Sequence, residues 1–182
     1  MKRNMSIVSL VAGILLLAGC ASSVMIKAAP LAADGDFAVV NFIRPSLFGG
    51  AIKFGVWDGE TVIGVLTPQT CIQYKASPGE HTFLIRAENW GSIAATVEAG
   101  KTYTVLAEPR MGIMKANVHM TVIRPGDKRL KQWMAEAKYV AFNPKKREAY
   151  ARKRSDEARA AADKVESGKV KPQGVMTADD GE

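Results

Sequence analysis

The side chains able to do chemistry are few: the 182-residue chain holds two histidines and two cysteines. His81 stands in Pro78-Gly79-Glu80-His81 at the entrance to a strand, and by alternation it shares a face with Phe83 and Ile85. That position suits a structural histidine hydrogen-bonded at a sheet edge. His119 falls near Asn117 and Thr121 on the polar side of another strand and reads as a surface group. The two are far apart in sequence, with no His/Cys/Asp cluster at ligand spacing, so a zinc site is not expected. Asp58 and Glu60 flank an Asp-Gly turn. As a pair for acid–base work they would be fully solvated, with little to shift their pKa values. Gly49-Gly50 lacks the Lys-Ser/Thr that completes a phosphate loop, and no G-x-S-x-G elbow occurs. No catalytic, cofactor-binding or metal-ligating residue is assigned, and enzyme activity is not expected.

Cys20 is different. Lys2 and Arg3 precede an apolar stretch that runs from Ile7 to Gly19. As a helix it would span about 20 Å, short of a hydrocarbon core of about 30 Å. Residues 1–19 therefore read as a removable signal peptide rather than a permanent span. The tetrapeptide Leu17-Ala18-Gly19-Cys20 resembles the lipobox of bacterial lipoproteins. The resemblance implies a diacylglyceryl thioether on Cys20, cleavage before it, and acylation of the new terminus. Two or three chains anchor a protein stably where one does not. An ordinary secretory signal with an incidental Cys20 is the alternative. Ala21, in place of Asp, resembles enterobacterial lipoproteins sorted to the outer membrane, which implies a periplasm-facing envelope location in a Gram-negative source. An alkylated Cys20 leaves Cys71 without a partner in the chain, so Cys71 reads as a buried, inert thiol.

Residues 20–35 are rich in Ala and Ser and read as a lipidated tether reaching about 20 Å. From 36 to 124 the period is two and the punctuation is turn-like. Strands are expected at 37–44, 51–58, 61–66, 70–75, 81–88, 92–98, 102–108 and 113–124. Asp58-Gly59 predicts a hairpin and Pro78-Gly79 a type II turn. The expected fold is mainly β, an antiparallel β-sandwich of seven or eight strands with a C-terminal helical extension; a small barrel is the alternative. The extension covers 125–166. Asp127 caps a first helix with a stripe of Leu130, Trp133, Met134, Ala137 and Val140 or Ala141. Asn143-Pro144 opens a second helix running to about Val165, poor in large apolar residues. Residues 167–182, with Gly, Pro and a terminal Asp-Asp-Gly-Glu, read as a disordered tail.

Composition is ordinary for a folded chain, 47% hydrophobic and 24% charged, which excludes wholesale disorder and a multi-pass membrane protein. The charge is unevenly placed. Residues 20–123 carry eight basic and eight acidic side chains, whereas residues 124–171 carry fifteen basic and seven acidic. Two clusters stand out, Lys145-Lys146-Arg147 and Arg152-Lys153-Arg154. The first lies in the opening turn of a helix, where the macrodipole disfavours each cation by about 0.3–1 kcal/mol. The six are candidate contacts for an anionic surface such as phospholipid headgroups, lipopolysaccharide phosphates or the cell wall. A solvated, salt-laced helix is the alternative. Nucleic acid is not an expected partner.

Asn41-Phe42-Ile43-Arg44-Pro45-Ser46, Val56-Trp57-Asp58-Gly59 with Val62-Ile63-Gly64-Val65-Leu66, Tyr74, and Pro78-Gly79-Glu80-His81 occur in that order. Together they resemble a bacterial lipoprotein family, domain of unknown function 2846, over roughly residues 37–110. The resemblance implies a small β-sandwich used for binding or presentation, and supplies no reaction. The expected function is a non-enzymatic envelope lipoprotein, tethered through Cys20, whose cationic helix contacts an envelope polyanion or a protein partner. The alternative is a periplasmic assembly factor that binds a protein segment by strand addition.

Overall fold

A computed structural model of the chain describes residues 23–111 and 116–182. It is mainly β. The strands are β1 (Met25–Lys27), β2 (Ala38–Arg44), β3 (Phe54–Asp58), β4 (Thr61–Leu66), β5 (Thr70–Ala76), β6 (Gly79–Arg86), β7 (Trp90–Val97), β8 (Thr102–Met111), β9 (Ala116–Ile123), β10 (Lys138–Phe142) and β11 (Gly174–Met176). Three helices join them: α1 (Lys128–Glu136), α2 (Pro144–Ala151) and α3 (Ser155–Glu166). None of the described helices is long and apolar enough to cross a membrane.

The strands make two sheets, ordered β1-β10-β5-β2-β8-β9 and β11-β7-β6-β3-β4. The eight strands expected between 36 and 124 are present, but the sheets are mixed rather than antiparallel. β2 runs parallel to β8, β10 to β5, and β11 to β7. Alternation marks which face of a strand is buried and says nothing about the direction of its neighbour. Here the chain leaves the first sheet after β2 and again after β5, so β2 and β8 meet only after two excursions through the second sheet. Pro78-Gly79 accordingly carries the chain from one sheet to the other rather than closing a hairpin, with Gly79 at φ +124°. Asp58-Gly59 does close one, pairing Asp58 with Thr61.

Side chains from both sheets meet in one apolar cluster that includes Val40, Phe42, Phe54, Phe83, Ile85, Val105 and Met120. Phe42 and Phe83 meet edge to face across it, 5.3 Å between centroids. The opposite faces are also covered. α1 lays Leu130, Trp133, Met134 and Ala137 over Ile43, Cys71, Leu106 and Ile123 of the first sheet. That explains why every residue of β2 is buried, and burial pushes the Cys71 thiol up to about 12. On the second sheet, α3 docks through Ala158 and Ala162 above Trp57, Val65 and Leu84. Small residues suffice there because they let the helix approach the sheet closely.

Four sequence expectations are corrected. Helix α1 stops at Glu136, and residues 138–142 form β10, whose Tyr-Val-Ala-Phe pairs with β5 and β1. The 125–166 extension is therefore three helices and a strand, integrated with both sheets. Residues 25–27, expected within a free tether, are the edge strand β1. The tail expected to be disordered holds β11 and a 3-10 turn, with Met176 and Asp180 buried. Its last residue pairs with β8 through Thr102 N–H to Glu182 O at 2.7 Å and the reverse bond at 3.1 Å.

Candidate functional site

The N-cap of α2 joins the two parts of the molecule that carry the sequence's functional expectations. The Asn143 side-chain oxygen accepts from Lys145 N–H at 3.1 Å, as Ser, Asp and Asn do at helix starts. Its amide nitrogen donates to Ser23 O at 3.1 Å, and its backbone N–H to Val24 O at 2.8 Å. The first described residues are thus pinned beside the opening turn of α2. Cys20 itself lies outside the described residues.

The six expected cationic contacts divide. Lys145 is exposed and Lys146 half-buried in that opening turn, and neither has an acidic partner among the described residues. Arg147 is exposed and donates to Val62 O at 3.1 Å, with its guanidinium 5.4 Å from the centre of the Phe142 ring. Arg152 pairs with Glu148 at 2.8 Å in an i, i+4 bridge, both side chains largely exposed. Lys153 is exposed, and Arg154 lies over the Tyr150 ring at 5.1 Å. The two clusters therefore do not form one patch. Roughly 10 Å along the chain separates them; Asn143 ties the first to the N-terminal segment, and Arg154 of the second lines a cleft with Ser23, Val24 and Met25.

A second constellation was not expected. Asp58, Tyr74 and His81 converge on one carboxylate oxygen. Tyr74 Oη donates to Asp58 Oδ2 at 2.9 Å, and His81 Nδ1 meets the same atom at 2.8 Å. Asp58 is no solvated turn residue: its side chain is 15% exposed and that of His81 only 7%. The imidazole also stacks on Phe83, 5.3 Å between centroids, and its Nε2 reaches Ser77 O at 2.7 Å. A carboxylate and a carbonyl only accept, so the imidazolium, with a proton on each ring nitrogen, satisfies both contacts, and in that form the ring has no lone pair for a substrate proton. Its hydrogen bond to Asp58 accordingly raises its pKa above the ordinary value. Burial, with the Asp58 carboxylate second, pushes the Tyr74 phenol above its usual range. The cluster ties β3, β5 and β6 together across the two sheets. The residues were legible as separate turn and strand signals; only their meeting was not.

The raised His81 pKa fixes a pH dependence. A group that binds its proton more tightly when folded stabilises most below its unfolded pKa, about 6.5, and that stability is lost as pH rises through the folded value. The unfolding free energy of wild type minus His81→Gln, from urea titrations between about pH 5 and 9, is expected to be largest at the acid end. A difference that is flat or grows with pH would contradict the imidazolium assignment.

His119 is half-buried, and burial lowers its pKa. No group of three or more His, Cys, Asp or Glu that could hold a metal occurs among the described residues. Arg44, expected only to end a strand, is the most consequential residue the sequence reading passed over. It is fully buried and donates to Ile52 O at 2.5 Å, Gly49 O at 2.8 Å and Phe48 O at 2.9 Å, with its guanidinium 4.2 Å over the Phe54 ring. It shapes the loop 45–53 from inside. No protein-family model matches the chain, and no curated protein matches its sequence.

Proposed function

We propose that the chain is a non-catalytic, lipid-anchored module of the bacterial cell envelope. On this reading its two sheets form a β-sandwich held against an anionic membrane surface by its own anchor and by the first turn of α2. The observation that carries it is the pair of bonds from Asn143 to Ser23 and Val24. With β1 beginning at Met25, only about three residues separate Cys20 from the folded body, a reach of roughly 10 Å. A lipid on Cys20 then brings Lys145 and Lys146 to the headgroups, and cations near an anionic leaflet contribute about 1 kcal/mol each. Lysines in an opening helical turn, costly to the helix, have a use there.

The strand-addition alternative needs a free sheet edge. On β9 the outward groups are engaged: Asn89 accepts from Val118 N–H at 2.7 Å, and Gln173 accepts from Met120 N–H at 2.9 Å. β1 and β11 offer three residues each, and on the edge strand β4 Val62 O accepts from Arg147 while Val65 N–H donates to Met25 Sδ. These features favour the membrane reading.

The test uses point substitutions, since removing the docked helices would expose core. Wild type is expected to stay with the membrane fraction in high salt, and Cys20→Ala to be released. In the Cys20→Ala background, Lys145→Gln with Lys146→Gln should weaken sedimentation with phosphatidylglycerol vesicles by roughly ten- to thirtyfold. Phosphatidylcholine vesicles should show no such difference. Retention of Cys20→Ala in high salt would sink the anchor, and indifference to the lysine changes would sink the membrane-facing role of α2.

A further inference from the structure

A cleft of about 630 Å³ opens between α2, the N-terminal segment and the outer face of the second sheet. Its floor follows from strand register. Val65, Gly55 and Arg86 are neighbours across β4, β3 and β6. With no side chain at the middle position, that face carries a notch. Val24, Met25 and Val140 make its walls apolar.

Two polar atoms without partners stand beside the notch. Trp57 is fully buried, yet its indole Nε1 has no hydrogen-bond partner. A Cβ added to Gly55 would stand 3.3 Å from that nitrogen and 3.0 Å from Tyr150 Oη. Tyr150 Oη likewise makes no hydrogen bond among the described residues. A buried N–H left unmet costs about 1–3 kcal/mol, so native structures nearly always supply an acceptor. Both donors stand beside the space that a Cβ on Gly55 would take. Three cations stand around the opening. Arg86 is partly engaged by Glu157 at 3.1 Å, whereas Lys53 and Arg154 have no acidic partner among the described residues.

We infer that this cleft binds an anionic amphiphile. Its single negatively charged headgroup accepts from Trp57 Nε1 and Tyr150 Oη beneath Lys53 and Arg154, and its acyl chain lies along Val24, Met25, Val65 and Val140. Hydrogen-bond donors and cations beside apolar walls, with a volume inside the usual ligand range of about 300–1,000 Å³, fit that chemistry. A small hydrophilic anion would leave the apolar walls unused, and a neutral lipid would leave the cations and the indole unmet. Free fatty acids and anionic phospholipids share the required headgroup charge and chain. The site does not depend on an anchor at Cys20.

The indole proton supplies the readout, because the chain has three tryptophans. In ¹⁵N spectra of the full chain in non-ionic detergent, decanoate is expected to shift the Trp57 indole signal saturably, leaving those of Trp90 and Trp133 as fold controls. Trp57→Phe assigns the peak. Decanol should not shift it. Gly55→Ala, which fills the notch, and Arg154→Gln should each weaken the response by about tenfold or more, with the control signals unmoved. Dihexanoylphosphatidic acid in place of decanoate tells a phospholipid from a free acid by which titrates at lower concentration. A Trp57 signal unmoved by both anions, moved equally by decanol, or shifted as in wild type after Gly55→Ala would overturn the inference.

Discussion

Arg44→Met is expected to lower the unfolding free energy by about 2–4 kcal/mol, even though it replaces a buried charge with an apolar group of similar length. Buried ions are often dispensable, because replacing both partners with well-packed apolar residues removes the desolvation cost along with the attraction. Arg44 does not allow that exchange. Its partners are the main-chain carbonyls of Phe48, Gly49 and Ile52, which no substitution can remove. They would be left facing a methionine. Burial opposes the charge and lowers the Arg44 pKa, so the three bonds and the Phe54 face together outweigh that opposition in the native state. Arg44→Lys should recover less than half of the loss, because one ammonium cannot present the planar fork that spans three carbonyls. Urea unfolding of the three proteins decides it, with proteolysis near Leu47 and Phe48, both exposed, reporting the freed loop. A methionine variant as stable as wild type would mean that the clamp contributes nothing.

The parts of this molecule that the sequence made plain are those governed by local rules. The strands between Ala38 and Ile123, the Asp127 and Asn143 caps and the α1 stripe up to Ala137 follow from period, turn chemistry and capping. Each is decided within a window of a few residues. What failed was decided across the chain. Whether β8 lies parallel to β2 depends on how many times the chain changes sheets, which alternation does not record. Lys138–Phe142 continues a helical stripe on paper, but β5 and β1 offer its backbone a ladder on both sides. Asp58, Tyr74 and His81 show the same limit in a site. Each was noted as a turn or strand residue, and their meeting depends on which strands face one another. The Asp-Gly turn looked solvated because nothing local places a tyrosine from another sheet above it. The cationic clusters illustrate the reverse. Their charges are legible, yet composition does not record that Arg147 and Arg154 also lie against Phe142, Val62 and Tyr150.

Truncation after Lys171 should therefore be severe for a segment that reads as a tail, costing about 4–6 kcal/mol and lowering Tm by roughly 10–20 °C. Three losses add. Met176 is fully buried between the sheets, and exposing such a side chain costs about 1.5–3 kcal/mol. Removing Gln173 strips the bonds from Met120 N–H and Val118 O on β9, each partly buried group costing about 1 kcal/mol or more. Asp180, 8% exposed, caps Thr177 N–H at 2.8 Å and pairs with Arg124 at 3.2 Å, a set worth about another 1 kcal/mol. Met176→Ala in the full chain separates the packing share and should cost about 2–4 kcal/mol alone. The remainder of the truncation's loss then belongs to edge closure, in which three residues of β11 and one glutamine satisfy backbone groups that two sheets would otherwise leave open to other chains. Thermal unfolding of the three proteins checks the division. Concentration-dependent association should also rise in the truncated form more than in Met176→Ala. A truncated protein within about 1 kcal/mol of the full chain, and no stickier, would show that the edges are closed by something other than the C-terminus.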